Sequence, residues 1–149
     1  RPAKKELIRS GIVRTAGRIL SSAASTPAAA EKTMALLEKL STCTEGRAAI
    51  GEDGECVREM VRRLMKCSGA ATAHGISALW SVCCLARDAG AQAAAEEANG
   101  LTKVLLVMQS DCSEYTRRMC VELVKILRVK STTSNLSPYH SRTTHITPY

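Results

Sequence analysis

Residues Gly75–Leu85 read GISALWSVCCL, and the fold turns on what the two adjacent cysteines are for. His74 stands nine residues before Cys83. If the segment is helical, that separation is a rise of roughly 13.5 Å, and Cys83 and Cys84 point about 100° apart. Zinc holds its ligands at about 2.0–2.3 Å, so these side chains cannot share one ion. A thiol nucleophile would need a base or a helix N-terminus to lower its pKa, and these cysteines come late in the helix, where the dipole opposes a thiolate. Ile76, Leu79, Trp80 and Cys83 recur instead at helical spacing as one apolar stripe. Free cysteine is among the most buried residue types, so the pair is read as packing and the stretch as the inward face of a long helix.

The same stripe recurs on either side. Met34 and Leu37 precede Ile76 and Leu79 by 42 positions, and Leu123 follows Leu79 by 44. Thr26–Pro27 supplies a capping hydroxyl and a proline at the first helical position ahead of Ala30, Met34, Leu37 and Leu40. This predicts a helix over Pro27–Thr42. A short helical piece over Glu45–Ile50 is stopped by GEDG at 51–54, after which Val57, Val61, Leu64 and Met65 mark a second helix with Arg58, Arg62, Arg63 and Lys66 on its wet side. AQAAAEEA at 91–98 is again short and helical, and Asn99–Gly100 breaks it. Leu101, Val104, Leu105 and Met108 begin the next helix, and Met119, Leu123 and Ile126 close the series.

A period in the low forties that holds a short, a medium and a long helix is the pattern of an armadillo unit. The sequence therefore predicts an all-α fold, an armadillo-type right-handed α-solenoid of about three repeats over 1–130. The first repeat is expected to be truncated, because ELIRSGIVRTAGRIL at 6–20 reads as the end of an earlier unit. Each unit buries its apolar face only against its neighbours. From Ser131 the texture changes: STTSNLSPYHSRTTHITPY has no helical period, which predicts an extended or disordered tail over 131–149. That tail is expected either to be a mobile terminus or to return Ile146 and Tyr149 to the last unit as a strap.

A chain of 149 residues buries roughly 68–70% of its unfolded surface, enough for a real core. Phenylalanine is absent and aromatics make up 3%, so that core must be aliphatic. The formal charge of +7 favours an acidic partner. Seven cysteines without a C-x-x-C pair, and no signal peptide ahead of them, suit a reducing compartment. The expected location is the cytoplasm, with the nucleus and the membrane periphery as alternatives. The chain opens Arg1-Pro2-Ala3 without an initiator methionine and reads as part of a longer protein. No apolar run is long enough for a membrane span. There is no phosphate loop, no H-E-x-x-H and no paired carboxylate in an apolar setting. No catalytic residue, metal site or cofactor is expected.

In an armadillo array the longest helix of each unit lines a concave groove. Its outward positions here align Lys32 with His74 and Arg118, and Lys39 with Ser81 and Lys125. Four of the six are lysine or arginine. They read either as cations that keep the surface soluble or as a groove for an acidic or phosphorylated segment. Nucleic acid is disfavoured because aromatic stacking platforms are missing. The Trp and Asn ladders of importin-α-like arrays are missing too: Ala35, Ser77 and Val121 stand at one set of positions, and Lys39, Ser81 and Lys125 at the other.

The segments MALLEKLSTCTEGRAAI (34–50), ISALWSVCCL (76–85), NGLTKVLLVMQSDCSEYTRRMCVELVKILR (99–128) and SPYHSRTTHITPY (137–149) resemble the C-terminal armadillo region of plant U-box E3 ubiquitin ligases, in particular their elicitor-responsive, defence-related branch. The resemblance extends from Glu6 to Tyr149. It implies that an N-terminal U-box recruits the ubiquitin-charged E2 while the array selects the protein to be modified. No U-box pattern lies in this sequence, so an E2 would be engaged only through a U-box elsewhere, and no catalytic residue carries over. The alternative class is a stand-alone armadillo scaffold or adaptor that binds an acidic partner without a transferase role. The oligomeric state is not read from the sequence.

Overall fold

Capping side chains start most of the helices. Thr26 Oγ1 accepts from the Ala29 N–H at 3.1 Å and Pro27 opens α3 (Pro27–Leu40), as the sequence predicts. Asp53 caps α5 (Gly54–Arg63), Ser68 caps α6 (Gly69–Trp80) and Asp88 caps α7 (Ala89–Glu97) in the same manner. The others are α1 (Pro2–Arg9), α2 (Ile12–Ser21), α4 (Thr44–Glu52), α8 (Gly100–Gln109) and α9 (Glu114–Ile146). The computed structural model describes residues 2–146, with side chains over 3–131, and no strand occurs among them.

The helices form three rows. α1, α4 and α7 pack in succession along one, α2, α5 and α8 along the second, and α3, α6 and α9 along the third. This is the expected all-α armadillo solenoid, and its first unit contributes residues to all three rows. α1 runs for 8 residues beside 9 in each of α4 and α7. The stretch at 6–20 is thus the first and second helix of one unit. Gly11, at φ +85°, turns the chain sharply between them, as Asn99 at φ +64° does between α7 and α8.

Met34, Leu37, Ile76, Leu79 and Leu123 are all buried. The shift that carries Leu79 to Leu123 also carries Cys83 to Leu127, and Leu127 rather than Ile126 enters the core. Met65 is exposed: it lies past the end of α5 at φ +68°, so that helix buries Cys56, Val57, Met60 and Val61 instead. In α8 the core residues are Val104 and Val107, while Leu105 and Leu106 face outward. From Ser131 to Ile146 the backbone continues α9, in the stretch for which an extended or disordered tail is expected. The strap contacts expected of Ile146 and Tyr149 lie outside the described residues.

Arginines tie helix ends together. Arg63 Nε donates to the Leu20 carbonyl at 2.6 Å and its Nη2 to that of Ser22 at 3.1 Å, which holds the end of α2 from the following unit. Arg47 Nη1 donates to the Ser41 carbonyl at 3.0 Å, and Arg117 donates to the carbonyls of Met108 and Cys112. A cation at a helix C-terminus meets both the unpaired carbonyls and the dipole.

The tightest corner is where α4 begins against the end of α3. A Cβ at Gly46 would lie 1.7 Å from the Leu40 carbonyl oxygen, a backbone atom that cannot swing aside. Gly46→Ala is expected to lower stability by about 3 kcal/mol by forcing α4 off α3. Gly69→Ala, whose Cβ meets nothing within 4 Å, should be neutral or stabilising by about 0.5 kcal/mol. Equilibrium urea unfolding of the two variants measures the contrast.

Candidate functional site

The third row carries the six positions expected to face a groove. Lys32, Lys39, Arg118 and Lys125 are exposed, on the flanking helices α3 and α9. On the central helix α6 His74 is half-buried, and Ser81, just past its end, is buried. The cations therefore stand on either side of a centre that offers none among these six.

Three carboxylates reach across the seams between the rows' helices. Glu31 Oε1 accepts from Ser68 Oγ at 2.8 Å, and Glu38 Oε1 lies 2.6 Å from His74 Nδ1, both linking α3 to α6. Glu122 Oε1 accepts from Trp80 Nε1 at 3.1 Å and links α9 to α6. The row is consequently of mixed charge. Glu31 and Glu38 are seven positions apart and so share a helix face, a signal present in the sequence. Nothing local to Glu122 announces Trp80 as its partner.

α6 does not end as an ordinary helix. Ser81–Leu85 form a π turn, in which the Ala86 N–H donates to the Ser81 carbonyl at 2.9 Å. The Asp88 N–H reaches the Val82 carbonyl at 3.1 Å, and the Cys83 carbonyl, left over by the wider turn, accepts from Gln92 Nε2 at 2.9 Å. Arg87 follows at φ +52°. Facing this turn, Glu122, Lys125, Ile126 and Val129 occupy one face of α9. Together with Cys84, Arg87 and Gln92 they line an open cleft of about 650 Å³.

The cysteines offer no nucleophile in this region. Cys83 and Cys56 are buried, and burial pushes both thiols up to about 12; Cys120, also buried, rises to about 12 for the same reason. Cys84 rises to about 11, through burial first and Glu122 second. Among the described residues no three His, Cys, Asp or Glu side chains come together as a metal site requires. No helix among them is long and apolar enough to cross a membrane. What the arrangement can do chemically is bind, by charge, hydrogen bonding and apolar contact.

The chain matches the family model described as plant U-box protein ARM repeat region over residues 1–146. It is 44% identical over 146 residues to U-box domain-containing protein 28 of Arabidopsis thaliana, covering 98% of this chain and 35% of that protein. U-box domain-containing protein 29 of the same plant is 43% identical over 125 residues, covering 82% of this chain and 30% of the relative. U-box domain-containing protein 75 of Oryza sativa subsp. japonica is 34% identical over 104 residues, 70% of this chain and 22% of its own length. The chain thus spans about a third or less of these relatives. No solved structure matches it.

Two outcomes follow from the thiol environments. Iodoacetamide at pH 8 should modify the half-buried Cys43, Cys67 and Cys112 in the folded protein and spare Cys56, Cys83 and Cys120 at least ~100-fold, as peptide mapping would record. The unfolded chain's thiols ionise near 9 while these three keep their protons to about 12, so the unfolded state binds fewer protons above pH 9 and stability falls as pH rises. Urea midpoints at pH 8 and pH 10 check that sign.

Proposed function

Because the chain belongs to the plant U-box protein family, whose armadillo-repeat region it matches, we propose that it is the substrate-recognition region of a U-box E3 ubiquitin ligase. It grips an acidic or phosphorylated segment of the protein to be modified along the row of α3, α6 and α9. The observation that carries this reading is the exposure of Lys32, Lys39, Arg118 and Lys125 on the two flanking helices of that row.

Such cations act in two steps. At a distance, together with a net charge of +7, they raise the encounter rate with a negatively charged segment. At contact they form charge-assisted hydrogen bonds, stronger than neutral ones. Glu38 and Glu122, tied to His74 and Trp80, interrupt the positive field and disfavour a uniformly anionic ligand. In the whole ligase a U-box would recruit the charged E2, and this region would hold the target within its reach. The likeness of its segments to the elicitor-responsive branch supports a role in defence signalling, in the cytoplasm.

Lys39→Glu combined with Lys125→Glu is expected to cut capture of protein partners from plant extract by about tenfold or more, with unchanged helicity by circular dichroism. Capture by the unaltered chain should weaken as salt rises. Equal recovery by both forms, quantified by mass spectrometry, would sink the groove assignment. Partners lost in the double variant should also acquire ubiquitin when a U-box is fused ahead of Arg1. Partners that bind but are never modified would favour the adaptor role instead.

A further inference from the structure

The cleft beside the π turn lies at one end of the third row. Its two walls come from different units: Cys84 and Arg87 from the end of α6, and Glu122, Lys125, Ile126 and Val129 from α9. Ile126 is half-buried and Val129 is 67% exposed, so an apolar floor lies open between the charges. A π turn leaves helix carbonyls without their usual partners, and here the Cys83 carbonyl is satisfied by a side chain of α7. Arg87 is held in the left-handed region, which a residue with a Cβ adopts at a cost. Both irregularities lie where the chain leaves α6, and Arg87 lines the cleft together with Lys125.

The formal charges of Arg87, Lys125 and Glu122 leave a balance of one positive charge. One carboxylate neutralises it, whereas a doubly charged phosphate would leave an excess of negative charge beside Glu122. The volume of about 650 Å³ accommodates a few side chains. We propose that this cleft is the pocket in which the array takes an Asp or Glu side chain of its protein partner, with a neighbouring aliphatic side chain seated on Ile126 and Val129. The proposal rests on the groove reading above and narrows it to one end of the row.

Trp80 is the only tryptophan of the chain, and its indole N–H is bonded to Glu122, so its fluorescence reports directly on the cleft wall. The full chain is titrated with the peptide acetyl-Gly-Leu-Glu-Leu-Gly-amide and with its Gln counterpart. The Glu peptide should change Trp80 emission saturably and bind about tenfold tighter than the Gln peptide. Arg87→Gly, which relieves the left-handed backbone while removing the cation, should abolish that preference without lowering the melting temperature. Equal affinity for the two peptides, no saturable binding, or an Arg87→Gly variant that still prefers Glu overturns the pocket. If those results occur while Lys32→Glu with Lys39→Glu still abolishes partner capture, the pocket falls and the groove stands. Capture indifferent to every one of these substitutions removes both.

Discussion

The close approach of α6 to α3 is the constraint on which the rest of the array depends. Met34 and Leu37 of α3 and Ile76 and Leu79 of α6 are buried together, each worth about 1.5–3 kcal/mol against exposure. Neither helix could bury them within its own unit. Gly75 fits the contact closely: a Cβ there would lie 3.0 Å from the Met34 Cε and 3.3 Å from Leu64 Cδ2, so those side-chain ends would have to yield by a few tenths of an ångström. Polar contacts then fix the sliding position of the two helices: Glu31 on Ser68 at one end of the seam and Glu38 beside His74 further along. Apolar burial sets how near the helices lie, and the carboxylates set their register. The spacing of Lys32 and Lys39 relative to α6 follows from both.

Much of this order was legible in the sequence, because burial imposes a period and a period survives in the residues. Thr26 and Pro27 announce the start of α3, and the recurrence of Met34, Ile76 and Leu79 gives away the repeat. Misreadings arose where apolar residues are too dense to declare a phase. Leu101–Met108 contains Val104, Leu105, Leu106 and Val107 in succession, and only the two valines are buried. Ile126 and Leu127 are adjacent and both plausible, although the shift that equates Cys83 with Leu127 favours the one that is buried. That the stretch at 6–20 holds parts of two helices was hidden because Gly11 resembles a helix stop, when it is a turn between them.

The candidate site was legible only in part, for a different reason. Exposed cations can be aligned by counting, so the exposure of Lys32, Lys39, Arg118 and Lys125 was legible. Their counter-charges bridge helices 36 to 42 positions apart, and no local pattern encodes such pairs. The π turn has no residue signature in SVCCL either; the carbonyl it leaves over is met by Gln92, nine positions beyond Cys83 and on another helix. The adjacent cysteines that first suggested chemistry mark this turn. One lies in the core and the other on the wall of the cleft.

The arginine that grips α2 comes from further along the chain, and this direction matters during synthesis. Arg63 is 43 positions beyond Leu20. At about 5–20 residues per second, roughly 2–9 s separate the making of that carbonyl from the making of its partner. Over that interval the Leu20 carbonyl lacks its arginine, although the Ser25 N–H already serves that of Ser22, and the Ser41 carbonyl waits only six positions for Arg47. Folding on the ribosome therefore completes backwards, each newly made unit fastening the helix ends of the one before it.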